Sequence, residues 1–91
     1  MSYTIVLSDE LEKTLIQLKR KDKTLFSAVE KKILQIASSD ATSIQHFKNL
    51  RGTLSDFKRV HIGSFVLLFR VKDDCVIFEY FQHHDTIYEK R

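Results

Sequence analysis

One cysteine, Cys75, is all the chain contains. A disulfide framework within the chain is thereby excluded, which suits a reducing cytoplasm. Long apolar runs are missing as well. The longest runs from Phe65 to Phe69, far short of the ~20 residues that a membrane-spanning helix needs. The opening stretch MSYTIVLSDE has neither the basic start nor the long apolar core of a secretory signal. The expectation is a cytoplasmic protein without a membrane partner. No repeat, linker or low-complexity stretch interrupts the sequence. Neither sign of charge dominates: 15 Lys and Arg stand against 12 Asp and Glu, a net charge of +3 with a pI near 9.1. Such mild basicity permits an RNA or phosphate partner without requiring one.

The 91 residues predict one domain over 1–91. A chain of this size buries only ~60–65% of its unfolded surface, so its core must be one layer contact, such as helices on a sheet. A hydrophobic content of 43% marks a globular chain and not a disordered one.

SYTIVL is short and rich in β-branched residues, and it predicts a strand. Ser8 follows as a helix cap, with Asp9 and Glu10 placing negative charge in the first turn. Leu11, Leu15 and Leu18 recur at helical spacing. Asp22 offers a second cap, and Leu25, Phe26, Val29, Ile33, Ile36 and Ala37 form a stronger stripe behind it. SSDATS then reads as loop. From Phe57 the apolar period shortens to two. FKRVHI, FVLLFRV and CVIFEYF are strand candidates, joined by GS and DD as tight hairpins. The expected class is α+β: an N-terminal strand, a two-helix hairpin, then three antiparallel strands forming a sheet packed on the helices.

Two-residue turns at Gly63–Ser64 and Asp73–Asp74 set a register. Ile62 then opposes Phe65, His61 opposes Val66, Phe69 opposes Phe78, and Val66 opposes Phe81. Opposed residues share a face and sequence neighbours take opposite faces. Val60, Ile62, Phe65, Leu67, Phe69, Val71, Val76, Phe78 and Tyr80 should therefore face the helices. Arg59, His61, Val66, Leu68, Arg70, Ile77, Glu79, Phe81 and His83 should line the open face. The apolar members of the second set, Val66, Leu68, Ile77 and Phe81, predict an exposed patch of the kind that marks a protein contact.

LRGTLSDFKRVHIGSFVLLFRV followed by VIFEYFQHHDTIY resembles the RelE/ParE superfamily of toxins from type II toxin–antitoxin systems, closest to its archaeal RelE-like branch. The markers are Leu50, Arg51 and Gly52, the run Phe57 to Phe69 around Gly63, and the closing His83 and Tyr88. The resemblance implies a toxin that cuts messenger RNA in the ribosomal A site, with basic residues on the open sheet face and a tyrosine near the C-terminus. It also implies a cognate antitoxin that wraps the toxin and, on the predicted patch, covers it; a homodimer is the other occupant of such a patch. ParE-type members share the fold and poison DNA gyrase. By position, the two strand cations fall on Arg59 and His61, the next arginine falls on Val66, the C-terminal arginine on His84, and the tyrosine on Tyr88.

Cleavage through a 2′-hydroxyl needs a base, a cation for the charged phosphorane, and an acid for the leaving oxygen. Histidine can fill either proton role near neutral pH, and arginine grips phosphate in a fork. The catalytic candidates are Arg59, His61, His84 and Tyr88. Lys58, Arg51, Arg70 and His83 are candidates for substrate binding, although alternation points Lys58 off the open face. Asp85 and His83 can orient the others. The route needs no metal or other cofactor, and a zinc site from His61, His83 and Asp85 matches no recognised spacing. Plainer roles stand beside these. The HHD histidines can bond backbone at the strand end, Tyr88 can pin the tail, and Arg51 can brace helix to sheet. With Val66 in place of an arginine, the alternative to an endoribonuclease is a catalytically weakened binding module or a gyrase inhibitor.

Overall fold

The computed structural model describes residues 3–45, 47 and 57–85. Strand β1 covers Thr4–Leu7, helix α1 Asp9–Lys21, α2 Lys23–Ala37, α3 Ala41–Gln45, β2 Lys58–Ile62, β3 Phe65–Lys72 and β4 Cys75–His83. The strands lie in the order β1-β4-β3-β2. The hairpins β2–β3 and β3–β4 are antiparallel, and β1 adds to β4 in parallel as an edge strand. The expected α+β class and its element order hold, with the sheet mixed through β1. No helix among the described residues is long and apolar enough to cross a membrane.

Both predicted caps are in place. The Ser8 hydroxyl accepts the Leu11 amide at 3.0 Å, and Asp22 Oδ1 accepts the Leu25 amide at 3.0 Å. Each satisfies an amide that the first helical turn leaves without a partner. Three basic residues, Lys19, Arg20 and Lys21, close α1 against its negative end. SSDATS is not all loop. Asp40 Oδ1 accepts the Ser43 amide at 2.7 Å and starts α3, which drives Ile44 into the core. That bond, followed by one from the Ser43 side chain, holds the Asp40 carboxyl below the ordinary aspartate value.

The β2–β3 register is the expected one, with Ile62 opposite Phe65, Val60 opposite Leu67 and His61 opposite Val66. Gly63 takes φ 62 and Asp73 φ 55, each at the first residue of its two-residue turn. This left-handed first position closes a hairpin in keeping with the strands' twist, and glycine or aspartate enters it at lower cost than branched residues. The β3–β4 register matches from the turn as far as Phe69 opposite Phe78, then shifts by one residue between Leu68 and Phe69. Leu68 pairs with Tyr80, which leaves Glu79 as the extra residue of a β-bulge.

The bulge inverts the far half of β4. Phe81, expected on the open face, joins the helix-side core with Leu11, Val29, Ile33, Ile36, Leu67 and Phe78. It stacks on Phe65, with centroids 5.1 Å apart. Tyr80, expected in that core, lies on the other face with Val66, Leu68 and Phe57. His83 pairs with Phe65 and meets its ring edge-on at 5.6 Å, so it too departs from the open face. Val66 opposes Gln82, not Phe81.

The bulge has a visible cause on the β1 side. β1 ends at Leu7, paired with Phe78, so the Glu79 carbonyl lies one residue past the ladder. Ser8 takes it over: its hydroxyl donates to Glu79 O at 2.6 Å, and its amide donates to Phe78 O at 2.9 Å. One serine therefore caps α1 and supplies a partner for a half-buried carbonyl.

Candidate functional site

On the face away from the helices, β2, β3 and β4 set side chains in rows. Arg59, Leu68 and Tyr80 form one row, and His61, Val66 and Gln82 the next. Arg59 and His61 are two residues apart on one strand, ~7 Å along it, and the β4 members of the rows stand two strands away, ~10 Å across. The floor between them is Val66 and Leu68, at 0% and 1% exposure. The patch expected from Val66, Leu68, Ile77 and Phe81 is accordingly not an exposed one: two members are fully buried and Phe81 faces the helices.

Tyr80 and Gln82 belong to this frame although alternation from the turn put Tyr80 on the helix side and passed over Gln82. The Gln82 Oε1 atom is buried and without a hydrogen-bond partner among the described residues, a costly condition for an amide oxygen. Only the extra residue at Glu79 reveals both side chains. The sequence signal for it is faint, a charged residue inside the strand CVIFEYF.

The candidates named from the sequence fall into three groups. Arg59 and His61 share the open face as expected, with His61 exposed and Arg59 half-buried. Lys58 turns off that face, as alternation requires; it pairs with Phe69, and its ammonium reaches Phe47 O at 3.5 Å. Arg70 is on the open face, held by Glu79 with Nε to Oε2 at 2.8 Å. Its side chain is 40% exposed, so the ion pair adds little stability, but the carboxylate competes with any phosphate for the guanidinium. Arg51 and Tyr88 lie outside the described residues.

The histidine pair sits at the rim, beside the β2–β3 turn. The His84 amide and its Nδ1 both meet Ser64 O, at 3.1 and 3.3 Å. Because a carbonyl only accepts, Nδ1 is the donor. The two imidazoles are 4.8 Å apart and tilted by 33°. His84 Nε2 faces Asp85 Oδ1 at 2.9 Å, while His83 Nδ1 accepts the Asp85 amide at 3.3 Å. The backbone-bonding role foreseen for these histidines is therefore present, and His84 is tied to the turn that follows His61.

On the opposite side of the molecule, a groove of about 450 Å³ opens between β1 and the two long helices, lined by Ile5, Leu7, Leu15, Ile16, Phe26 and Leu34 among others. Ile16 is 62% exposed and Leu34 55%. The exposed large apolar side chains among the described residues lie here and on β1, not on the open sheet face.

No protein-family model matches the chain. Curated relatives do. The chain is 45% identical to RelE4, a candidate toxin of Methanocaldococcus jannaschii, over 98% of this chain and 94% of that one. Among solved structures, it resembles a chain of the RelBE2 toxin–antitoxin complex of Mycobacterium tuberculosis, with a TM-score of 0.74, 20% identity, and 91% and 92% of the two chains covered. It also resembles free Escherichia coli RelE carrying two arginine-to-alanine changes, with a TM-score of 0.70, 18% identity, and 98% and 93% covered. At those identities the two structures establish the fold.

Proposed function

The chain belongs to the RelE toxin family, and from that premise we propose that it is the toxin of a type II toxin–antitoxin pair, acting in the cytoplasm as a metal-independent endoribonuclease on ribosome-bound messenger RNA. The observation that carries the reading is the shared position of Arg59 and His61 on the sheet face away from the helices, with His84 tied to the adjoining turn. A base at His61 takes the 2′-hydroxyl proton, and the 2′-oxygen attacks phosphorus. Arg59 balances the added charge. The P–O5′ bond breaks, and the 5′-oxygen takes a proton from His84 or Tyr88. The products are a 2′,3′-cyclic phosphate and a 5′-hydroxyl. Tyr80, in the row of Arg59, supplies a ring on which a base can stack.

Purified chain added to translating ribosomes should yield new 5′-hydroxyl ends on messages. His61→Gln should reduce cleavage by ~10²–10⁴-fold, the usual weight of general acid–base catalysis. Messages that stay whole at every enzyme concentration would refute the nuclease. One observation favours a second reading. Val66, at the position of a family arginine, is wholly buried and offers nothing to a phosphate. A weakened module or a gyrase poison would then leave messages intact while arresting growth, and a supercoiling assay with purified gyrase separates the two.

The antitoxin of this reading docks on the groove of Ile16 and Leu34, where the exposed apolar surface of the described residues is concentrated. Support comes from the related fold captured in a toxin–antitoxin complex and from the availability of β1 as an edge for strand addition. Ile16→Glu with Leu34→Glu should release the toxin from neutralisation by its co-expressed partner. Unaltered neutralisation would move the partner elsewhere.

A further inference from the structure

The rim cluster of His83, His84 and Asp85 brings three metal-ligating side chains together, although the nuclease reading uses only His84 among them. Nδ1 of His84 donates to Ser64 O, so Nε2 is the ring nitrogen left for another partner. That nitrogen points at Asp85 Oδ1 from 2.9 Å. In His83 the Nδ1 atom accepts the Asp85 amide, so its lone pair is on Nδ1, which lies 3.7 Å from Asp85 Oδ2. Two imidazole nitrogens and a carboxylate thus converge on one small space. At 2.9 Å from Asp85 Oδ1, His84 Nε2 is at the distance where a shared proton bridges the two atoms, and a metal ion can take that proton's place.

The donor positions suit a metal ion. One donor atom from each of the three side chains can be chosen so that all lie within 4.8 Å of one another. An ion bound at ~2.0–2.1 Å from nitrogen in a tetrahedral shell holds its donors roughly 3.4 Å apart. The two carboxylate-to-imidazole separations, 2.9 and 3.7 Å, bracket that spacing. The His84 bond to Ser64 O is also the kind of support that a ligating histidine has: its other ring nitrogen donates to a carbonyl, fixing tautomer and orientation. Side-chain exposures of 43%, 45% and 71% leave the cluster open to solvent, so the long Asp85-to-His83 bond and the widest donor separation can yield to the ion with a small rotation.

We propose that His83 Nδ1, His84 Nε2 and an Asp85 carboxylate oxygen bind one divalent transition-metal ion of the borderline class, with water completing its shell. Two imidazoles and one carboxylate suit Zn²⁺ and Cu²⁺, and the general order of stability ranks Cu²⁺ the tighter. The set differs from the His61, His83 and Asp85 combination weighed from sequence: His84 takes the place of His61. The site stands whether or not the chain cleaves RNA. Its consequence for activity does rest on the nuclease reading, in which an ion on His84 Nε2 withdraws that nitrogen from proton transfer and inhibits.

The test is titration of the purified full chain with Zn²⁺ alone, followed by calorimetry and by imidazole NMR. One equivalent should bind, moving the ring signals of His83 and His84 and leaving those of His46 and His61 in place. Asp85→Asn and His84→Gln, both at the exposed rim, should each weaken binding at least about tenfold, the loss that follows even removal of an outer-shell partner. The proposal is overturned by absence of saturable binding, by shifts confined to His46 or His61, or by variants that bind as tightly as the parent. Inhibition of RNA cleavage by Zn²⁺, relieved in Asp85→Asn, reports separately on the consequence.

Discussion

β4 has two halves that follow different rules. From Cys75 to Phe78 its side chains alternate as the turn at Asp73–Asp74 dictates, with Val76 and Phe78 in the core. From Tyr80 to His83 the alternation is inverted, so that Phe81 enters the core and Tyr80 and Gln82 join Arg59 and His61. The first half is governed by its hairpin. The second is governed by contacts from elsewhere, above all Ser8 on Glu79 O. A strand's local pattern is thus reliable up to the point where a remote side chain holds an extra residue out of the ladder. In this chain that point coincides with the boundary between scaffold and candidate site.

The comparison can be broken most severely by deleting Glu79. Alternation would then run unbroken, returning Phe81 to the open face and Tyr80 to the core. We expect a loss of at least the ~3–5 kcal/mol that truncating a buried phenylalanine costs, or failure to fold, read from urea denaturation. Next in size, Phe81→Ala should cost about 3–5 kcal/mol and Tyr80→Ala clearly less, because Tyr80 is half-buried. The reverse order would mean that the bulge is misplaced. Ser8→Ala should cost about 0.5–2 kcal/mol, the range for a lost helix cap, and should lie towards its upper end because Glu79 O loses a partner too. Amide exchange at residues 78–80 should rise with it. A change confined to α1 would uncouple the cap from the bulge.

The smallest effect serves as a baseline far from β4. Asp40 has its carboxyl value lowered by the Ser43 bonds. Its contribution to stability is therefore present above the unfolded aspartate value and is lost as pH falls through the lower folded one. Asp40→Asn should remove that acid-side component and flatten stability against pH in this window. An unchanged profile would show that the cap carries no stability.

Much of the fold was legible. Ser8 and Asp22 announce the helices, and the stripes of Leu11 and of Val29, Ile33 and Ile36 orient them. Gly63 and Asp73 mark hairpin turns whose length sets the register of β2 and β3. Helix α3 was not legible, because five residues carry too little periodicity to stand out from SSDATS; its signal is the Asp40 cap with Ile44 behind it. In the site, Arg59 and His61 share the expected face since β2 runs directly into the Gly63–Ser64 turn that fixes it. His83 was misplaced because its assignment had to cross Glu79.

By itself the sequence determined what depends on neighbours within a turn or two: caps, helical stripes, strand periods, and the hairpins that carry Arg59 and His61 to a common face. The tertiary structure decided where β4 changes face, because the hydroxyl that holds the bulge open belongs to a serine 71 positions earlier in the chain. It likewise decided that His84 meets Ser64 O, a contact spanning 20 positions. Alternation is a local property of extended backbone, whereas a bulge is stable only when distant groups satisfy the backbone atoms it displaces.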